Sequence, residues 1–268
     1  MQVDATRPTL NELGYDLLSI SSWQRIRGLS MPFVVSMAYW FFAWYGYWPL
    51  AVAALVVLSF VTYGSISHDL VHRTLGISPR ASHVFLCLIE LLALRSGHAY
   101  RAIHLHHHAR FPHDDDIEGQ AAKMSFLRAI GEGFVFVPRT TLWALRHATT
   151  DRLWIKSECA VIALLVTTSI ALLPWSIIPF GYVALMVAGS WIIPVITSWI
   201  PHDPTQDDPV RQTRVFRGVV FRIIAIDHLY HLEHHLYPAV PHHKWPELAK
   251  RLDPWLADQG IDSIKLGF

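Results

Sequence analysis

Long stretches of this chain carry no charge. Between Met31 and Ile66 there is no Asp, Glu, Lys or Arg, and there is none between Cys159 and Pro201. As one helix rising about 1.5 Å per residue, either run would be longer than the roughly 30 Å hydrocarbon core of a bilayer. Each is therefore expected to fold back as a helical hairpin. Charged residues are only 16% of the chain against 52% hydrophobic, with 11 Trp, which excludes an ordinary soluble globule and implies an integral membrane protein. Positive charge is not in excess either: a net charge of +1 offers no basic surface for nucleic acid. Cysteine is limited to Cys87 and Cys159, in or beside apolar stretches and without a CxxC pattern. That excludes a disulfide framework or a thiolate metal site, and buried, inert thiols are expected. The first thirty residues hold Asp4, Arg7, Glu12, Asp16, Arg25 and Arg27 and lack the apolar core of a cleavable signal peptide. Membrane targeting is expected to come from the spans themselves.

Helix breakers divide the charge-free runs. Gly46 to Pro49 (GYWP) splits the first, and Pro174, Pro179 and Gly181 split the second. Four spans are expected near 31–46, 49–66, 159–174 and 180–200. All 22 Lys and Arg lie in the N-terminal, central and C-terminal segments, so the positive-inside rule places those three segments, and both termini, in the cytoplasm. Ser82 to Leu94, interrupted by Glu90, is short for a span and suits a re-entrant or interfacial helix. Met124 to Lys156 mixes apolar residues with Arg128, Arg139, Arg146 and Arg152, the pattern of a helix lying in the headgroup plane. The aromatic run Trp40, Phe41, Phe42, Trp44, Tyr45, Tyr47 and Trp48 is read as an interfacial belt. No low-complexity linker separates the halves, so residues 1–268 are read as one domain.

Histidine is abundant where charge is not. None of the 17 lies inside a span, and most of the clustered ones fall just past the cytoplasmic ends of spans two and four. HDLVH places His68 and His72 four residues apart, on one face of a helix. HLHHH gives His104, His107 and His108 the spacing i, i+3, i+4, with His106 pointing elsewhere. HLEHH repeats that spacing in His231, His234 and His235. Imidazole suits Zn, Cu, Fe and Ni, and eight or more nitrogens are too many for one tetrahedral ion, so two metals are the natural count. A zinc protease would show HExxH, where this chain has HDLVH and a Glu233 out of register. A metal transporter would carry ionisable groups at membrane depth, and the spans have none.

At these residues the chain resembles the membrane fatty acid desaturase superfamily, whose three histidine boxes have the forms HxxxH or HxxxxH, HxxHH and HxxHH. The match runs in order from His68 to Pro246. Within it, the short length, the HDDD after the second box, WIPH before the third and HLEHHLYPAVP are similar to carotenoid ketolases and hydroxylases. Arg73 stands where ketolases usually have Gly, DDDIEG where they tend to have DDDPD, and PHHKWPEL is closer to acyl-lipid desaturases.

The resemblance implies an all-α membrane enzyme, its spans two hairpins under a cytosolic histidine-rich cap with interfacial helices. It implies two iron ions, O2 as co-substrate, and oxidation of an unactivated C–H bond in a lipid drawn from the bilayer. Carotenoid ring hydroxylation or ketolation is the preferred reading, and fatty-acyl desaturation the alternative. The implied ligands are His68, His72, His104, His107, His108, His202 of WIPH, His231, His234 and His235, with His228 in reserve for the ninth place. Asp69, Asp227 and Glu233 are the leading candidates to orient the rings, with Asp114, Asp115 and Asp116 beside them. His242 and His243, beyond Pro238 and Pro241, are expected to lie outside the site. No GxGxxG after a strand, CxxC cluster or HPGG-type haem loop is present, so a separate ferredoxin- or reductase-type donor is implied. Arg211, Arg214, Arg217 and Arg222 could receive an acidic donor or contact anionic headgroups.

Overall fold

The computed structural model describes residues 7–218 and 228–265, so Asp227 and Arg222 lie outside the described residues. The described chain is mainly helical, with one short parallel strand pair, β1 (Phe216–Arg217) and β2 (Ile264–Lys265). Among the described residues, four helices are long and apolar enough to cross a membrane, and three of them start or end away from the charge-free runs. Helix α1 (Ser22–Trp44) begins ahead of residue 31 because the Ser21 hydroxyl accepts the Gln24 N–H and the Gln24 side chain answers the Ser21 N–H, a capping box. Helix α2 (Trp48–His72) continues past residue 66 and carries the first histidine pair. Helices α3 (Pro79–Leu92) and α4 (Gly97–Arg110) follow, then α5 (Phe126–His147), α6 (Arg152–Ala171) and α7 (Ile178–Trp199). The charge-free runs mark hydrocarbon depth, whereas caps and prolines mark helix ends.

The segment from Met124 to Lys156, expected as one interfacial helix, is instead α5 and the start of α6, broken at 148–151 where Asp151 accepts from Arg101. One face of α5 exposes Leu127, Phe134 and Leu142 and the other buries Ala129, Phe136 and Ala144. Gly133 lets α5 press on α7: a Cβ there would stand 1.8 Å from the Trp191 carbonyl oxygen.

Helix α1 packs along α2 and α6 along α7, and α7 also touches α1 and α2. Small residues at these contacts, Ala43, Ala51 and Ala54, admit close approach around Tyr39, Leu58 and Met186. Two buried tyrosine hydroxyls are satisfied inside the bundle. Tyr39 donates to the Ile178 carbonyl at 2.8 Å, and Tyr182 donates to the Leu92 carbonyl at 2.6 Å. Trp44, Tyr45, Tyr47 and Trp175 are exposed at the turns opposite the histidines, about 35 Å away along the 25 residues of α2.

Both α2 and α7 loosen into a π-turn just before their histidine ends, at Thr62–Ile66 and Val195–Trp199. Thr62 and Ser65 hydroxyls donate back to the Leu58 and Phe60 carbonyls, while Pro194 lacks the N–H that a continuous α7 would need. Such turns inside helices recur at functional sites. Beyond α7 lie α8 (His231–Leu236) and α9 (Trp245–Asp258). The N-terminal turns Leu10–Leu13 and Tyr15–Leu18 close over them, burying Leu13 and Leu17 with Leu232, Leu236, Leu248 and Leu252.

Candidate metal centre

All nine histidines expected as ligands converge, in two adjoining sets. His68 and His72 of α2, His104 and His108 of α4 and His234 of α8 form one; His107, His202, His231 and His235 form the other. Within each set the ligating nitrogens lie within 4.8 Å of one another. In the first, His68 Nε2 faces His234 Nε2 at 2.8 Å, His234 Nε2 faces His108 Nε2 at 2.6 Å, and His108 Nε2 faces His104 Nε2 at 3.2 Å. In the second, the Nε2 atoms of His202, His231 and His235 form a triangle with sides of 3.1, 3.0 and 3.3 Å. The i, i+3, i+4 spacing on α4 sends His104 and His108 to one set and His107 to the other, so a single helix joins both.

The polar partners of the outer nitrogens determine which atoms face inward. Asp116 accepts the Glu118 and Gly119 N–H groups on Oδ1, which leaves Oδ2 to accept from His107 Nδ1 at 2.8 Å. Glu118 accepts from His104 Nδ1 at 3.0 Å and from the Tyr63 hydroxyl at 2.8 Å. His202 Nδ1 donates to the Ser198 carbonyl at 3.0 Å. In all three rings the proton is therefore on Nδ1, and a bare Nε2 lone pair points at other imidazoles. Burial first, and then neighbouring rings, hold His108, His202, His231, His234 and His235 well below the usual histidine range, so they are neutral at pH 7. For His107 burial opposes the charge, but Asp116 outweighs it and the net shift is upward. Burial likewise opposes ionised Glu118, and His104 outweighs it to draw the carboxyl below its normal value.

Buried imidazole nitrogens facing one another at about 3 Å repel unless a proton or a metal cation lies between them, and a metal cation can satisfy several at once. His72 Nε2 makes the same point, being buried without a hydrogen-bond partner. Nitrogens each about 2.1 Å from one ion stand roughly 3.0–3.4 Å apart for angles between square and tetrahedral, close to the triangle's sides. The donor set is all imidazole, which suits a borderline transition metal, and neutral rings need release few protons to bind it.

The acidic residues divide more sharply than their clustering in sequence implies. Of the HDDD stretch only Asp116 meets a ligand-set ring; Asp114 pairs with Lys123 and Asp115 with Arg110, both exposed. Glu233 is fully buried, but its Oε1 accepts from Arg217 at 2.7 Å and its Oε2 has no hydrogen-bond partner. Asp69 meets His242, which closes back on it through ring Nδ1 at 2.5 Å and backbone N–H at 2.9 Å. His242 thus ties α2 to the segment after α8 rather than standing apart. Glu118 went unread in the sequence, although it lies two residues past Asp116 on the turn that Asp116 caps.

Of the four arginines expected to meet either an acidic donor or anionic headgroups, the three described ones also bond within the chain, Arg211 while staying exposed. Arg214 donates to the Trp199 and Ile200 carbonyls, Arg217 bridges Glu233 and Asp253, and Arg211 bonds the Gln259 carbonyl. Cys87 and Cys159 are free and half-buried, and burial raises the Cys87 thiol to about 12.

A cavity of about 20 Å³ opens beside the first set, bounded by Tyr63, Gly64, Ile196, Thr197, His228 and Trp245. His228 lines this cavity but belongs to neither set.

Comparison with curated proteins returns no match. The fatty acid desaturase family model, however, matches residues 28–264, a stretch that holds every ring of both sets. The chain belongs to the fatty acid desaturase family, whose members are di-iron oxidoreductases.

Proposed function

We propose that the protein is a membrane di-iron oxidase that uses O2 to attack an unactivated C–H bond of a lipid. The observation that carries this reading is the pair of adjoining nitrogen sets, with inward lone pairs fixed by Asp116, Glu118 and the Ser198 carbonyl. His68, His72, His104, His108 and His234 would hold one iron, and His107, His202, His231 and His235 the other. Held there, two irons would supply the O2-dependent oxidation chemistry. The protein's own residues orient the rings, exclude bulk water and admit the substrate between the π-turns of α2 and α7. Buried Trp245 and Tyr100 wall the site.

The charge-free turns and the Arg- and Lys-bearing histidine end support cytoplasmic termini and a cytoplasmic metal site. Electrons come from a separate redox protein. On substrate, WIPH favours a carotenoid ring, whereas the small cavity favours a thin acyl chain. A space of about 20 Å³ takes little more than one small group before side chains move. A methylene chain asks for less displacement than a methylated ring, and we adopt acyl-chain oxidation as the reading that the geometry supports best.

Expression in a host that makes β-carotene, with pigments and fatty acids analysed together, tests it. New unsaturated or hydroxylated acyl chains with unchanged pigment are expected. Oxygenated carotenoid with unchanged acyl chains would reverse the substrate choice, and two zinc ions in place of iron would defeat the oxidase reading.

A further inference from the structure

We propose that His228, seated directly on Gly64, is the steric wall that sets the width of the substrate cavity; the proposal builds on the lipid-oxidase reading above. Gly64 lies inside the π-turn of α2 and lines the cavity. A Cβ at that position would stand 1.8 Å from His228 Cδ2 and 1.9 Å from His228 Nε2. The ring therefore occupies the volume that any other residue at 64 would fill. On its other side it meets Phe60 edge-on, with ring centroids 6.0 Å apart.

His228 is 8% exposed and faces the same cavity as His68, His104, His231 and His234, yet it joins neither nitrogen set. Its bulk lines the same cavity as Gly64 of the α2 π-turn and Ile196 and Thr197 of the α7 π-turn, where a hydrocarbon admitted between the two turns would meet it. Removing the ring enlarges the cavity where ring-ended and straight-chain substrates differ most in cross-section. The wall thus selects for one unbranched chain and against a cyclic end group. Pocket shape of this kind discriminates by about tenfold or more per displaced group.

The test compares His228→Ala with His228→Phe, which keeps the bulk and removes the nitrogens. Two readouts are used: iron per chain, and photocrosslinking of metal-free protein in nanodiscs by diazirine probes. One probe has a stearoyl chain and the other ends in a trimethylcyclohexenyl ring. Expected results are full iron in both variants, wild-type probe preference in His228→Phe, and a gain of about tenfold for the ring-ended probe in His228→Ala. Loss of iron from His228→Phe would make His228 a ligand and overturn the proposal, as would unchanged probe preference in His228→Ala. Should wild-type protein oxidise neither lipid class while the probe preference shifts as expected, the reaction reading falls and the cavity wall stands.

Discussion

Glu118 is the sharpest point at which to perturb the centre, because one buried carboxylate holds both a ligand ring and a membrane-helix tyrosine. Glu118→Ala strips the acceptor from His104 Nδ1–H and from the Tyr63 hydroxyl. Each buried donor left unpaired costs about 1–3 kcal/mol. Loss of a partner that orients a metal-bound histidine typically lowers metal affinity about 10–100-fold, or about 1.4–2.8 kcal/mol. Glu118→Gln keeps one carbonyl oxygen for His104 but loses the charge and the second acceptor oxygen that Tyr63 uses, so it is expected to fall between wild type and Glu118→Ala. Asp115→Asn, at an exposed carboxylate paired only with Arg110 and His106, serves as the neutral control. The assay is iron per chain in detergent against rising chelator, with helical circular dichroism to verify the fold. Chelator resistance in Glu118→Ala equal to wild type would falsify the assigned role. So would identical losses in the Gln and Ala variants, since Gln retains an acceptor for His104 and Ala does not.

Other outcomes follow from the same geometry. His234→Ala, at the centre of the first nitrogen set, should lower iron content and abolish turnover while membrane insertion persists; full activity with both irons would refute it as a ligand. His202→Ala should cost iron from the second set alone, giving about half the wild-type content by metal analysis. Arg217→Met leaves Glu233 buried without its cation and should destabilise by about 3 kcal/mol, read as a lower unfolding midpoint in detergent. Adding Glu233→Met should restore most of that loss, and a double variant no better than the single one would contradict it. Gly133→Ala forces backbone against backbone at Trp191 and should cost about 1–3 kcal/mol, whereas Gly131→Ala, with open space at its Cβ, should not destabilise.

Patterns tied to helical periodicity were legible in the sequence. The spacing HxxHH says which rings share a face, and the structure adds that α4 deals His107 to one set and His104 and His108 to the other. His202 was reached only through resemblance, since a single histidine after WIP has no periodic signal of its own. The π-turns arise locally, where hydroxyls back-bond and Pro194 interrupts α7. Two further features depend on contacts distant in sequence, and no local pattern reports them. Glu118 matters because Tyr63, 55 residues away, comes to meet it. His242 returns to Asp69 because the proline-rich stretch turns the chain back, although prolines alone read equally well as carrying it away. The acidic triplet illustrates the limit: Asp114, Asp115 and Asp116 are chemically alike, and only the turn hydrogen bonds single out the third.

The latch between the two ends of the chain bears on how the enzyme is made. Arg7 donates to the Leu236 carbonyl and Tyr237 to the Pro8 carbonyl, each across 229 residues. Both nitrogen sets also draw on residues 231–235. A nascent chain can thus have made all four candidate spans and still possess neither complete nitrogen set until residues 231–235 follow. Metal loading would in this sense come after insertion, and a chain arrested ahead of residue 231 is expected to be an inserted but metal-free precursor.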